Sequence, residues 1–407
     1  MNIYKKNLLS SLLFVLFCFI WSGVKGISIK YAKIDFYGDT LVIPYDSMFL
    51  KSYYNSVAPA SFNLYFEKCN KLNHQVTITR LKEIKEKYRL DDFGYLVLLK
   101  KMVTIVFSGK PENSRNLFIW FMMLKSDYDV FLGYSDIYVV VMAKHDVPLA
   151  TGGSIQLMSD GSYRININFN GDTTQKYISH SFTIFKHYMN LRKTKLKSLV
   201  FNYNELPKLP VENVKRKIEL IYHDSLYVFN YVINKRLMAY YDDLPFFVVS
   251  RDQVKMGFSV DIKNTLVKQL KEILAGINNR EAELNFLLFF VQESFKFRED
   301  KGIEKHNFPE ETLYYEFSDC DDRAALFASL IKEIYNMNSI LLDYPNHVNV
   351  GIHYYENDKG WKYILYLDKG GLYLDMEKYT ICDPTGEGLL IGQDNYGSQP
   401  IEIRELW

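Results

Sequence analysis

Cysteine is scarce in this chain, with four among 407 residues. Only Cys69, Cys320 and Cys382 lie beyond residue 26. Three is an odd number and too few for a disulfide scaffold, so at least one thiol is left unpaired within the chain. Net charge is also nearly absent: 49 basic residues against 48 acidic ones give a formal +1. That balance offers no polycation for nucleic acid or an anionic surface. There is no His-Glu-x-x-His pair and no Cys/His cluster, so neither a metal nor a cofactor is expected. An apolar content of 48% is enough for a core and excludes a disordered chain.

An apolar run of bilayer length is missing as well. Leu8 to Trp21 is apolar except for Ser10 and Ser11, and a spanning helix needs about 20 residues. Lys5 and Lys6 precede the run, and Val24-Lys25-Gly26 follows it with small residues where a signal peptidase reads. Residues 1–26 therefore read as a cleaved signal peptide. The mature chain is expected in the periplasm or on the surface of a bacterium, touching membrane only if that segment stays attached. Cys18 follows Leu16-Phe17 with no small residue before it, which argues against a lipoprotein site.

What is abundant is aromatic: 32 Tyr and 28 Phe suit strands, a core, and the walls of a peptide or carbohydrate groove. Residues 27–205 read as a mixed α/β N-terminal domain. Lys30 to Ile43 has strand character and Thr79 to Tyr88 is a charged helical stretch. Asp91-Asp92 opens a helix through Phe93 to Phe107, and Asn113 to Lys125 is another. Tyr138 to Met142 reads as a strand, and Tyr163, Ile165, Ile167 and Phe169 alternate as in a half-buried one. Pro207 and Pro210 mark a boundary. Residues 211–260 contain a hairpin, Val214 to Tyr222 and Leu226 to Val232, around His223-Asp224-Ser225.

Residues 261–407 carry the chemistry. Asn264 to Ala275 and Glu281 to Phe297 are helices, the second largely buried. A third follows Ser318-Asp319-Cys320-Asp321-Asp322-Arg323, and strands are expected over Val348 to Tyr355, Trp361 to Asp368 and Leu372 to Cys382. Ser318 can cap the third helix, with Asp321 completing a capping-box-like pair. Cys320 then lies in the first turn, where the dipole and free N–H groups favour a thiolate. His347 opens a strand and can face that helix as general base and acid. Asp383, at a strand end, can orient the imidazole. Cys382 should point to the opposite face and pack. Asp319, Asp321 and Asp322 are explained by capping rather than by a metal, with Arg323 pairing among them.

Two matches raise an internal repeat: Leu117-Phe118 with Leu326-Phe327, and Leu132-Gly133-Tyr134 with Leu342-Asp343-Tyr344. In that register Pro111 falls opposite Cys320 and Ile137 opposite His347. The first half would then be a diverged copy without catalytic groups.

The segments Tyr315 to Phe327, Asn346-His347-Val348-Asn349-Val350 and Cys382-Asp383-Pro384-Thr385, in the order Cys, His, Asp, resemble the transglutaminase-like superfamily, in particular its exported bacterial cysteine-protease type. The resemblance spans roughly residues 260–390. It implies an α+β fold with a papain-like C-terminal core, in which the Cys helix packs on an antiparallel sheet. It also implies a Cys320–His347–Asp383 triad cleaving amide bonds of a peptide, protein or envelope polymer through a Cys320 thioester. The second oxyanion donor, besides the Cys320 N–H, would come from Tyr314 or Tyr315. The alternative is a non-catalytic envelope binding or scaffold protein on the same fold.

Overall fold

The computed structural model describes residues 28–52, 56–144, 149–150, 155–157, 163–166, 182–185, 196–202, 204–244, 246–247, 251–300, 305–354, 379–393, 395 and 400–406. The expected signal peptide and the strand at Trp361 to Asp368 lie outside these residues, as does most of Leu372 to Cys382.

The described residues open with a hairpin, β1 (Ile29–Phe36) and β2 (Asp39–Asp46), where one strand was expected. The break falls at Tyr37 and Gly38, both at positive φ (49° and 90°). Such a pair suits a tight hairpin turn, but tyrosine hides it from a sequence reading. A Cβ on Gly38 would meet the Arg236 guanidinium at 2.1 Å, so that side chain would have to shift as well. Helices α1 (Pro59–Asn70), α2 (Gln75–Lys87), α3 (Asp92–Val106) and α4 (Glu112–Lys125) follow. Asp91 caps α3 by accepting from Gly94 N at 2.7 Å, as its sequence position suggests.

Next come β3 (Val130–Tyr134), β4 (Val139–Lys144), β5 (Leu149–Ala150), β6 (Ile155–Leu157), β7 (Tyr163–Asn166) and β8 (Thr183–Ile184). A second hairpin joins β9 (Asn213–Tyr222) to β10 (Ser225–Asn234), matching the expected one. His223 and Asp224 both take positive φ in its turn. After it stand α5 (Lys235–Asp242), β11 (Phe246–Phe247), α6 (Arg251–Val254), α7 (Val260–Ile262), a π-helical turn Lys263–Val267, α8 (Lys268–Leu274) and α9 (Arg280–Ser294). The chain ends with β12 (Lys296–Phe297), α10 (Pro309–Tyr314), β13 (Phe317–Ser318), α11 (Cys320–Tyr335), β14 (Ser339–Tyr344), β15 (His347–Ile352), β16 (Thr380–Cys382) and β17 (Glu402–Glu405).

The fold thus mixes helix and sheet, and its two halves run in parallel. In each half a two-stranded hairpin carries helices: α3 on β1 and α2 on β2, then α9 on β9 and α7 on β10. A longer helix then packs on a sheet, α4 on β3 and β4, and α11 on β14 and β15. The first sheet has the order β6-β7-β4-β3-β8 and the second β16-β15-β14-β17. Without β6 the two orders are the same, and all these pairs are antiparallel. One apolar core runs through both halves, from Ala32 to Leu406.

Pairing corrects the register of the repeat. Tyr344 pairs with His347, and its counterpart Tyr134 pairs with Val139, not Ile137. The reason is loop length: two residues, Pro345 and Asn346, separate β14 from β15, while Ser135 to Tyr138 separate β3 from β4. Likewise Pro111 is the N-cap of α4, so Glu112 rather than Pro111 holds the first helical position that Cys320 holds in α11.

Candidate active site

Cys320 is the first residue of α11 and is half-buried. The cap is Asp319, not Ser318: its side chain accepts from Asp322 N at 3.4 Å. Ser318 is occupied, because its Oγ accepts from Arg323 Nε at 3.0 Å. Arg323 was expected to pair with the acidic residues; the charges of Asp319 and Asp322 act on it, while its hydrogen bonds go elsewhere. Its guanidinium also donates to the carbonyls of Gln292, at 3.0 Å, and Phe295, tying the end of α9 to the start of α11.

The sulfur of Cys320 meets backbone N–H groups of Val348 and Asp321, which favour a thiolate. They are outweighed. Burial, then the charges of Asp321 and Asp319, push the thiol up to about 12. Alternation along β15 gives Val348, Val350 and Ile352 to the face of the main core, where α11 packs. His347 and Asn349 have the opposite parity, shared through pairing with Tyr344 and Leu342 of a second apolar cluster. So Cys320 meets β15 at the Val348 N–H, the position next to His347.

His347 and Asp383 are brought together. Nε2 lies 3.0 Å from Asp383 Oδ1 in a largely buried pair. Burial alone would raise the Asp383 carboxyl, but His347 and the N–H groups of Thr385 (3.0 Å) and Gly386 (2.9 Å) hold it below the usual range. Gly386 permits this approach, since a Cβ there would sit 3.0 Å from Asp383 Oδ2 and 2.4 Å from Leu389 Cδ1. From α9, Gln292 Nε2 donates to the Asp383 carbonyl (2.9 Å) and to that of Leu389 (3.1 Å), anchoring the loop after β16. Cys382 is fully buried and free, in keeping with a packing role.

Around the thiol lies a network that the sequence does not reveal. His306 Nδ1 bonds Asp321 Oδ2. Asn307 donates to both oxygens of Asp322, from its backbone N at 2.8 Å and its Nδ2 at 2.7 Å. Burial disfavours the charged Asp321, yet His306 and Asp319 hold its carboxyl low. Asp319 rises to about 10, from burial and then Asp322 and Asp321. Ligand oxygens of the three acids lie within 4.8 Å of one another, but each acid already has a donor from the protein. Tyr315 donates to Asp242 (3.3 Å), and Tyr314 lies under the Arg216 guanidinium (4.6 Å), so the structure assigns neither as the second oxyanion donor.

Asp322 makes a pH prediction. Burial and then Asp321 push its carboxyl up to about 8. An acid raised above its unfolded value of about 3.9 binds its proton more tightly when folded. Its stabilising contribution is complete below about pH 4 and is lost as pH climbs towards 8. Asp322→Asn should therefore flatten the decline of Tm between pH 5 and 8. An unchanged slope in thermal melts would remove Asp322 as its source.

In the N-terminal half the same seat is filled by structure rather than chemistry. Asn113 Oδ1 accepts from Val139 N at 2.9 Å, and Asn116 Nδ2 donates to Val139 O at 2.8 Å. Helix and strand are there pinned by amides, with Glu112 and Val139 where Cys320 and His347 stand. Set against protein-family models, curated proteins and solved structures, the chain matches none of them.

Proposed function

We propose that this chain is an exported cysteine acyl-transfer enzyme that hydrolyses amide bonds with Cys320, His347 and Asp383. The observation that carries this is the contrast between the halves. The same strand order is built once with Glu112 and Val139, and once with Cys320 and a His347–Asp383 hydrogen bond of 3.0 Å. A fold that stands without the thiol and imidazole does not need them for packing.

In this reading Asp383 holds Nε2 and Nδ1 exchanges protons. His347 takes the thiol proton, and the thiolate attacks the amide carbonyl carbon. The C–N bond breaks as the imidazolium gives its proton to the leaving amine. Water, deprotonated by His347, then cleaves the thioester and restores the thiol. The resemblance to transglutaminase-like cysteine proteases supports the same roles. A peptide, protein or envelope polymer is the substrate class, and export rests on the N-terminal segment.

One observation favours the second reading, a non-catalytic envelope binding protein on the same scaffold: the thiol rests protonated, held up first by burial and then by the charge of Asp321. The two are separated by incubating the mature protein with a panel of peptide amides and following both cleavage and intact mass. Cleavage with an acyl adduct on Cys320, both lost in Cys320→Ala, is the expected result. Binding of the panel without adduct or cleavage would establish the scaffold instead.

A further inference from the structure

Asn349 is fully buried, and neither its Nδ2 nor its Oδ1 has a hydrogen-bond partner. An amide held from water in that state destabilises the fold that holds it. Its position is not arbitrary. It stands on β15 two residues after His347, hence on the same face of the sheet. The pairing of Val350 with Cys382, continued by one step, sets Asn349 beside Asp383. Cβ atoms of directly opposed residues lie roughly 4.5–5.5 Å apart.

The N-terminal half provides an internal control. Leu342 pairs with Asn349, and Leu132 pairs with Val141. Val141 is fully buried and apolar, so this sheet position packs well with an aliphatic side chain. The unpaired amide occurs in the half that has the His347–Asp383 pair, directly alongside it.

We propose that Asn349 is a positioning residue of the His347–Asp383 pair, its Nδ2–H group donating to the Asp383 carboxylate when His347 carries a proton. A charged imidazole donates from both nitrogens, and an anchored carboxylate keeps Nε2 in place while Nδ1 serves the reacting groups. The timing of that protonation rests on the catalytic reading, but the contact itself does not.

Asn349→Val copies the N-terminal half, and Asn349→Thr has nearly the same shape with a hydroxyl restored. The measurement is the downfield proton NMR signal of the His347 Nε2–H in the resting protein between pH 5 and 7, with Tm beside it. The expected result is loss of the signal in Asn349→Val, retention in Asn349→Thr, and a Tm in the valine variant equal to or above wild type. A signal unchanged in Asn349→Val would overturn the proposal, as would equal loss in both variants. Because the readout needs no turnover, it still decides the role of Asn349 if the wild type cleaves nothing and the catalytic reading fails.

Discussion

Asp321→Asn will raise the alkylation rate of Cys320 at pH 8 by about tenfold or more. The thiolate is the reacting form, so below the thiol's pKa each unit of downward shift is worth about a factor of ten. Burial is the first cause of the rise to about 12, and Asp321 is the largest charge acting on it. Two charges about 5 Å apart interact by about 3 kcal/mol at an effective dielectric near 20. Removing one should lower the thiol by at least a unit without returning it to the ordinary range, because burial remains. Asp319→Asn is the informative control. Its carboxyl, at about 10 from burial and its acidic neighbours, is already neutral at pH 8. Asparagine can cap the helix equally well, so that variant should leave the rate within about twofold of wild type. If both variants alkylate alike, charge is not what holds the thiol protonated.

Arg323→Met should destabilise the chain by about 3–5 kcal/mol, read from chemical unfolding. The guanidinium is buried, and it spends its donors on Ser318 Oγ and the carbonyls of Gln292 and Phe295. Methionine fills the volume but leaves three acceptors unmatched. Arg323→Lys keeps one charged donor and should lose less. The effect should reach the site as well, since α9 also holds the Asp383 carbonyl through Gln292. A cost below about 1 kcal/mol for Arg323→Met would mean water replaces the guanidinium.

The elements read correctly from sequence are those whose signal is local. The β9–β10 hairpin follows alternation up to His223 and Asp224, and α3 follows its Asp91 cap. α4 follows one crowded apolar side. Where two local signals compete, the decision lies outside the segment. Ser318 and Asp319 are both good caps, and Arg323 settles the matter by engaging the serine. The strands β3 and β14 have no exposed face to alternate against. β14 is buried at every position, so period-two patterning is silent there.

The candidate site divides in the same way. Cys320, His347 and Asp383 are visible in the sequence because a thiol at a helix start, an imidazole at a strand start and the carboxylate of an Asp-Pro-Thr each carry a local signature. His306, Asn307 and Gln292 carry none, since a buried histidine or amide announces nothing until its partner is known. Asn349 had a faint signal, a polar residue two places after His347 in an otherwise apolar strand.

What the sequence by itself determined is the elements with a local signal, such as α3, α4 and the β9–β10 hairpin, the aromatic core and the three residues with the means to do covalent chemistry, because these rest on periodicity, composition and caps. Only the tertiary structure decided that the Val348 N–H reaches the thiol, because a two-residue loop sets strand parity. It alone decided that Val139 is the counterpart of His347, because pairing and not chain offset defines equivalence. It also decided that the thiol rests protonated, because burial and the charge of Asp321 act through space, where sequence spacing has no hold.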